Sequence, residues 1–294
     1  MIENKVSEIY VRPMGGLGNQ LFQYAVAYGI AQNNSAELII DNRFFINYGL
    51  HGGYRLSNLN ISEKCIGAEG CKTFPEWKCK LLTKFPQLTR FTKDFIYDKI
   101  SSYTNIKNEK VMLLGYWQNE CNFHQYKEKL IEKFKPVFID EDAFKLAEEI
   151  KSVNSVIIHV RRGDYINNPI ALKNHGVCSL NYYKKSIDTI KKIKGNVVFY
   201  VFSDDIDWCK ENLLVEVLKQ DNCVFISGKS QETDLWLMSC GKNHIIANSS
   251  FSWWGAFLSE YADQVVIAPQ PWFDIRQRYT NDPALCNWIR LDKH

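Results

Sequence analysis

Residues 155–165 read Ser-Val-Ile-Ile-His-Val-Arg-Arg-Gly-Asp-Tyr, an apolar run of strand length that ends on two guanidinium groups, a glycine and a carboxylate. Runs of similar texture recur at 197–202, 223–226, 244–247 and 264–268, and helix-period stretches at about 180–193, 206–214, 232–239 and 250–260 lie between them. Strands that are apolar throughout, rather than alternating, are buried on both faces. Their regular alternation with helices predicts a parallel sheet covered on either side. Ser179 is placed to cap the helix that begins after it.

Upstream the same logic gives a second α/β segment. A strand at 9–14 runs into the turn Gly15-Gly16-Leu17-Gly18, then a helix over about 19–31 and a strand at 37–41 that ends on Asp41. A further strand is expected at 111–116, and amphipathic helices at about 119–134 and 141–151. Residues 42–110 lack clean periodicity, although 77–88 reads as a helix interrupted at Pro86. The expected organisation is two Rossmann-like α/β domains, 1–140 and 141–294.

Composition removes other classes. The 294 residues carry 36 basic and 33 acidic side chains, a net charge of +3, which leaves no polybasic footprint for nucleic acid. Nine cysteines, an odd count without any CxxC pair, indicate reduced thiols rather than a disulfide framework or a ribbon-type zinc site. The opening MIENKVSEIYVRPMGG has no basic region followed by an apolar stretch, so it does not read as a secretory signal. No run of about 18 apolar residues is present. A cytoplasmic protein, in solution or peripheral at a membrane, is expected.

The chemistry concentrates where strands end. His159 and Arg161 alternate onto one face of an extended chain and Arg162 onto the other, so one arginine can grip a diphosphate while its neighbour pairs with a carboxylate. Asp164 can hold Arg161, orient a hydroxyl or cap the turn; alternatively the segment is a structural Arg–Asp pair. Ser203-Asp204-Asp205-Ile206-Asp207 follows the next strand. Its D-x-D is a pattern that can hold a divalent cation, but helix capping fits it better. His175 lies in a loop, where imidazole can titrate as a base. Asn248, Ser249, Ser250, Phe251 and Ser252 join a strand to a helix, a cradle of hydroxyls and N–H groups for an anion or an ordinary cap. The turn bearing Gly16, Gly18, Asn19 and Gln20 can approach a ligand through its backbone and amides. With Asp41 it also imitates a dinucleotide fold, although the spacing is not G-x-G-x-x-G.

Taken together, Gly-Gly-Leu-Gly-Asn-Gln-Leu-Phe-Gln at 15–23, His-Val-Arg-Arg-Gly-Asp-Tyr at 159–165, Phe-Ser-Asp-Asp at 202–205 and Asn-Ser-Ser-Phe-Ser-Trp-Trp-Gly at 248–255 resemble the α-1,2-fucosyltransferases of glycosyltransferase family eleven. Gly-Tyr-Trp-Gln at 115–118 and His-Gly-Gly-Tyr-Arg-Leu at 51–56 are similar to its bacterial members. The resemblance implies a GT-B-like build with the active site in the cleft between the domains. It also implies an inverting reaction that uses GDP-β-L-fucose and no metal. The acceptor would be a galactoside, free or on a lipid-linked unit of a surface polysaccharide. Arg161 would hold the β-phosphate, His159 would lie by the nucleotide and the serine-rich turn would bind phosphate. The general base is left open among Asp164, His175, an acid of the first domain or a relaying water. An NAD-dependent dehydrogenase built on the glycine turn and Asp41, and a sugar-binding protein rich in aromatics, are the competing readings.

Overall fold

The computed structural model describes residues 6–98, 108–219, 221–275 and 282–294. Among them, contacts divide the chain into two units, one ending at Phe134 and the other beginning at Lys135. The expected boundary at 140/141 falls six residues later. Residues 135–140 go with the second unit, where Asp140 caps a helix through the Ala143 N–H (2.7 Å) and accepts from Lys229 Nζ at 2.9 and 3.1 Å.

The first unit contains β1 (Glu8–Val11), α1 (Leu17–Asn34), β2 (Glu37–Asp41), β3 (Lys64–Ile66), α2 (Glu76–Lys84), β4 (Phe95–Tyr97), β5 (Lys110–Leu114) and α3 (Lys127–Lys133). Its sheet is parallel in the order β3-β2-β1-β5-β4, so strand order reverses at β1, where the glycine turn leaves the sheet. Alternate residues, Tyr10, Ile39, Phe95, Met112 and Leu114 among them, pack with Phe74, Cys79 and Leu82 of α2 and its lead-in. The helix expected at 77–88 stops at Lys84 and resumes as a 3-10 segment, Pro86–Phe91, because proline cannot donate to the preceding turn. The helix expected at 119–134 is shorter still. Asn119 accepts from the Cys121 N–H (2.9 Å), which closes a local turn, and regular helix begins at Lys127.

Gly29 lies in the middle of α1, where intrinsic propensity favours alanine by about 1 kcal/mol. Packing reverses that sign. A Cβ at Gly29 would stand 1.9 Å from the Asn122 carbonyl oxygen and 2.9 Å from its carbon, both backbone atoms that cannot rotate away. Gly29→Ala is therefore expected to destabilise the protein by about 1–3 kcal/mol in urea unfolding. A neutral or stabilising result would mean that the approach of α1 to Asn122 is looser than described.

The second unit contains α4 (Glu141–Ser152), β6 (Ser155–Val160), α5 (Gly163–Asn167), α6 (Pro169–His175), α7 (Leu180–Lys194), β7 (Val198–Ser203), α8 (Ile206–Trp208), β8 (Cys223–Ile226), α9 (Gln231–Ser239), β9 (Asn243–Ile245), α10 (Ser250–Phe257), β10 (Val266–Gln270) and β11 (Ile289–Asp292). α8 continues as a π-helix, Cys209–Leu218. The sheet is parallel in the order β11-β10-β9-β6-β7-β8. Every residue of β6 is buried. Val156, Ile158 and Val160 face Tyr182, Tyr183, Ile187 and Ile190 of α7, whereas Ile157 faces Ala147 and Ile150 of α4 and Leu237 and Met238 of α9. Each such aliphatic contributes roughly 1.5–3 kcal/mol by leaving water. Ser179 caps α7 as expected, accepting from the Tyr182 N–H at 3.1 Å. The nine cysteines are free. Among the described residues no helix is long and apolar enough to cross a membrane.

Candidate functional site

In the second unit, β6 lies between β9 and β7, with Val160 in register with Ser203. The segments that leave these three strands therefore emerge side by side at the carboxyl edge of the sheet, where parallel α/β sheets bind ligands. They carry His159–Asp164, Ser203–Asp207 and Asn248–Ser252.

Asp204 organises the first two segments. Its carboxylate accepts from the Arg162 and Gly163 N–H groups (2.9 and 3.0 Å) and meets Arg161 Nη1 at 2.9 Å. The sequence led us to expect one paired arginine and one aimed at ligand, with Asp164 a candidate partner. The structure pairs both, Arg161 with Asp204 and Arg162 with Asp205. Arg161 also lies over the Tyr165 ring (5.7 Å), whereas Arg162 Nε lies 3.3 Å from Asp205 and its guanidinium 3.7 Å from the centroid of the Trp208 ring. Asp205 also accepts from the Trp208 N–H (3.2 Å), and Ser203 Oγ accepts from the Asp205 N–H (2.9 Å), so the D-x-D segment acts as a helix cap. The side chain of Asp164 lies outside the described residues.

His159 is 4% exposed, its ring 5.6 Å from that of Phe251, and Nδ1 is buried without a hydrogen-bond partner among the described residues. Burial lowers its pKa to about 4, opposed by nearby Asp204 and aided by Arg161. It is neutral at physiological pH. The serine turn divides its labour. Ser249 Oγ accepts from the Phe251 N–H (3.3 Å), and Ser252 Oγ donates to the carbonyls of Ala247 and Ser249 (3.2 and 3.1 Å). Ser250, half-buried, opens the first turn of α10. Asn248 donates Nδ2 to the carbonyls of His175, Gly176 and Trp272 (2.7, 3.3 and 3.2 Å), so its amide fixes the backbone around the site rather than reaching outward.

His175 ends α6 rather than sitting in an open loop. Its ring stacks on Tyr165 (4.8 Å, 15°) and tilts against Phe273, and its carbonyl also accepts from Lys293 Nζ (2.6 Å), a fully buried ammonium paired with Asp274 at 2.5 Å.

Asp234 was not singled out by sequence. It lies in the first turn of α9, where an acid reads as a partner for the helix dipole. Yet Oδ1 is buried without a hydrogen-bond partner among the described residues, and burial pushes the carboxyl up to about 7 despite the pull of Lys229. Its effect on stability opposes that of His159. A raised carboxyl contributes most below its unfolded pKa near 4, and that contribution is lost as pH rises through 7. A lowered imidazole contributes above 6.5 and is lost as pH falls towards 4. Asp234→Asn is therefore expected to stabilise the protein at pH 8 by about 1–3 kcal/mol, to leave it near wild type at pH 4, and to expose the acid limb due to His159. Equal unfolding midpoints for variant and wild type at pH 8 would reject a desolvated Asp234.

In the first unit, Gly15 takes φ +78°, which glycine tolerates, and α1 starts directly after the turn. Gln20 is fully engaged: Nε2 donates to the carbonyls of Gly15 and Gly53 (both 2.9 Å) and Oε1 accepts from the Arg55 N–H (2.9 Å). It ties the 53–55 segment to the turn. Asn19 Oδ1 accepts from Gln118 at 2.9 Å, bringing the 115–118 motif to the same strand edge. Gly16 and Gly18 supply backbone at the start of α1. Asp41 does not fit the ribose role that the dinucleotide reading requires. It is completely buried, with Arg43 Nε and Nη2 at 2.7 Å and Arg12 Nη1 at 2.9 Å, and Arg12 is bidentate to Glu76 (2.8 and 2.7 Å).

Known proteins of this kind include an α-1,2-colitosyltransferase of Escherichia coli, 44% identical over 291 residues, which cover 98% of this chain and 100% of that protein. The O-antigen biosynthesis glycosyltransferase WbnK of Escherichia coli is 30% identical over 310 residues, covering 94% and 98%. Among solved structures, the NodZ α-1,6-fucosyltransferase soaked with GDP-fucose matches with a TM-score of 0.51 at 14% identity, over 86% of this chain and 93% of that one. Likeness at that identity speaks for the fold, two Rossmann-like units of the GT-B class. The sequence match is broader: the model of glycosyl transferase family 11 aligns from residue 8 to residue 292, through both sheets and every motif at their edges, and this chain belongs to that family.

Proposed function

We propose that this protein is an inverting transferase that moves L-fucose from GDP-β-L-fucose to the 2-hydroxyl of a terminal β-galactoside, without a metal, in the cytoplasm during assembly of a surface polysaccharide such as O-antigen. The observation that carries the reading is the adjacency of β9, β6 and β7, which brings the Arg161 guanidinium, the hydroxyl-bearing start of α10 and the buried neutral His159 to one sheet edge. A planar guanidinium fork together with helix N–H groups suits a diphosphate leaving group. In this reading the second unit holds the donor and the first the acceptor.

The fucose–phosphate bond breaks with oxocarbenium character while the acceptor oxygen attacks the opposite face. Arg161 and the 249–252 turn stabilise charge growing on GDP. Asp164, which directly follows the Arg-Arg-Gly segment, is assigned the acceptor proton; the aromatic stack around His175 argues against that ring.

Incubation with GDP-fucose and a panel of Galβ1,3 and Galβ1,4 acceptors in EDTA, with linkage read by NMR, should give an α-1,2-fucosylated product. Asp164→Asn should lower its rate at least about a hundredfold. Absence of product with every galactoside, or thermal protection by NADH but not by GDP, would overturn the assignment. The 44% identity to a colitosyltransferase supports a second reading in which the donor sugar is colitose, fucose without its 3-hydroxyl. A direct competition between the two GDP-sugars decides, since a site that hydrogen-bonds a hydroxyl rejects the analogue lacking it by orders of magnitude.

A further inference from the structure

α2 of the first unit is amphipathic in an unusual sense. Its inward stripe, Cys79 and Leu82, packs in the core, but its outward stripe is apolar too. Trp77, Leu81 and Phe85 recur at i, i+4 and i+8, one line on an α-helix. The chain then tightens to a 3-10 segment over Pro86–Phe91, and there Phe85, Leu88 and Phe91 recur at three-residue spacing, which again is one line. Phe85 ends the α-helix with non-helical φ −124° and ψ 71° and opens the 3-10 segment, so it is shared by both rows and the apolar ridge bends there. All five residues are exposed, Trp77 at 67% and Phe91 at 87%. Isolated exposed apolar residues are ordinary; an aligned row of aromatics and leucines is an interaction surface.

Charge identifies the occupant. Residues 76–93 contain five basic residues and the single acid Glu76. Lys78 turns aside to Asp94 (3.2 Å) and the face of Phe95, while Lys80, Lys84, Arg90 and Lys93 are exposed beside the ridge. Aromatic and aliphatic side chains flanked by lysine and arginine are the signature of an element lying in a membrane interface: rings enter the headgroup layer and cations meet anionic lipid. We propose that the Trp77–Phe91 ridge docks the first unit onto an anionic bilayer surface. This goes beyond the catalytic reading and does not rest on it.

Co-sedimentation of the full chain with vesicles tests it. Binding to 7:3 phosphatidylcholine–phosphatidylglycerol should exceed binding to pure phosphatidylcholine by about tenfold at 0.1 M salt and weaken at 0.5 M. Trp77→Ser with Phe91→Ser should abolish sedimentation with either vesicle, whereas Lys80→Ser with Lys84→Ser should remove the preference for anionic lipid. Both pairs are on the surface, so circular dichroism and turnover of a soluble acceptor should match wild type. Wild-type protein that stays in the supernatant overturns the proposal. So does sedimentation unchanged in the Trp77/Phe91 variant. A dimer in sedimentation velocity that this variant converts to monomer, without vesicle binding, assigns the ridge instead to a second copy of the chain.

Discussion

Arg161→Ala is expected to fold and yet lose turnover by a factor on the order of 10²–10³, the cost typical of removing one preorganised donor from developing negative charge. The two halves of that expectation have different origins. Folding should survive because the Arg161 side chain is partly exposed and because the turn it leaves is held by other bonds. Asp204 still receives the Arg162 and Gly163 N–H groups. Turnover should fall because the neighbouring guanidinium, that of Arg162, is held by Asp205 and the Trp208 ring and does not take its place. Arg161→Lys should recover little, since an ammonium cannot grip two phosphate oxygens as a planar fork does. Arg162→Ala supplies the contrast. It loses the stack on Trp208 and the pair with Asp205, so it should cost stability, about 1 kcal/mol, more than chemistry. Steady-state rates together with GDP titration calorimetry on the three variants make the comparison. Near-wild-type turnover in folded Arg161→Ala, or a larger catalytic loss in Arg162→Ala, would move the diphosphate contact away from Arg161.

The parts of this molecule that sequence reveals are those whose cause is local. The 155–160 run, aliphatic at 156–158 and 160, is buried at every position because both faces of β6 are covered, and this pattern recurs strongly enough to give the sheet and its alternating helices. The Ser179 cap and the Asp205 cap are likewise set within three residues. Strand edges could be placed because parallel connections leave every chain exit on the same side. What stayed hidden depends on partners distant in sequence. Gln20 and Asn248 carry amides that suit ligands, but carbonyls at 53 and at 175, 176 and 272 occupy them. Asp204 proved to be an acid on Arg161, since register between neighbouring strands brings its carboxylate there. Strands as short as β3 and β4, three residues each, contain too little pattern to detect. Asp234 went unnoticed because its burial comes from packing of α9, whereas its position alone suggests a helix-dipole partner.

Asp41 shows the same limit with an energetic consequence, and its replacement is expected to produce the largest loss of stability. Position alone gives it the place of a ribose-binding acid, at the end of the second strand of a βαβ unit. Instead it neutralises Arg12 and Arg43, each almost wholly buried, from a site with no exposure of its own. Glu76 shares the load, but its side chain is about one-third exposed and lies 3.7 Å from Arg43. Asp41→Asn keeps the shape and removes the charge, so two guanidinium groups remain in a low-dielectric site with one acid between them. Breaking a buried pair in this way costs about 3–5 kcal/mol, a large share of the roughly 5–15 kcal/mol that holds a domain folded. Added salt should restore little of it, because counterions do not reach buried charges. Replacing the group together, with Arg12→Met, Asp41→Leu and Arg43→Met, should cost much less than Asp41→Asn alone, since no charge is then left unpaired. Urea unfolding of both variants at low and high salt provides the measurement. A loss under about 1 kcal/mol in Asp41→Asn, or a triple variant weaker than the single one, would mean that this network is solvated and that Asp41 is available to a ligand after all.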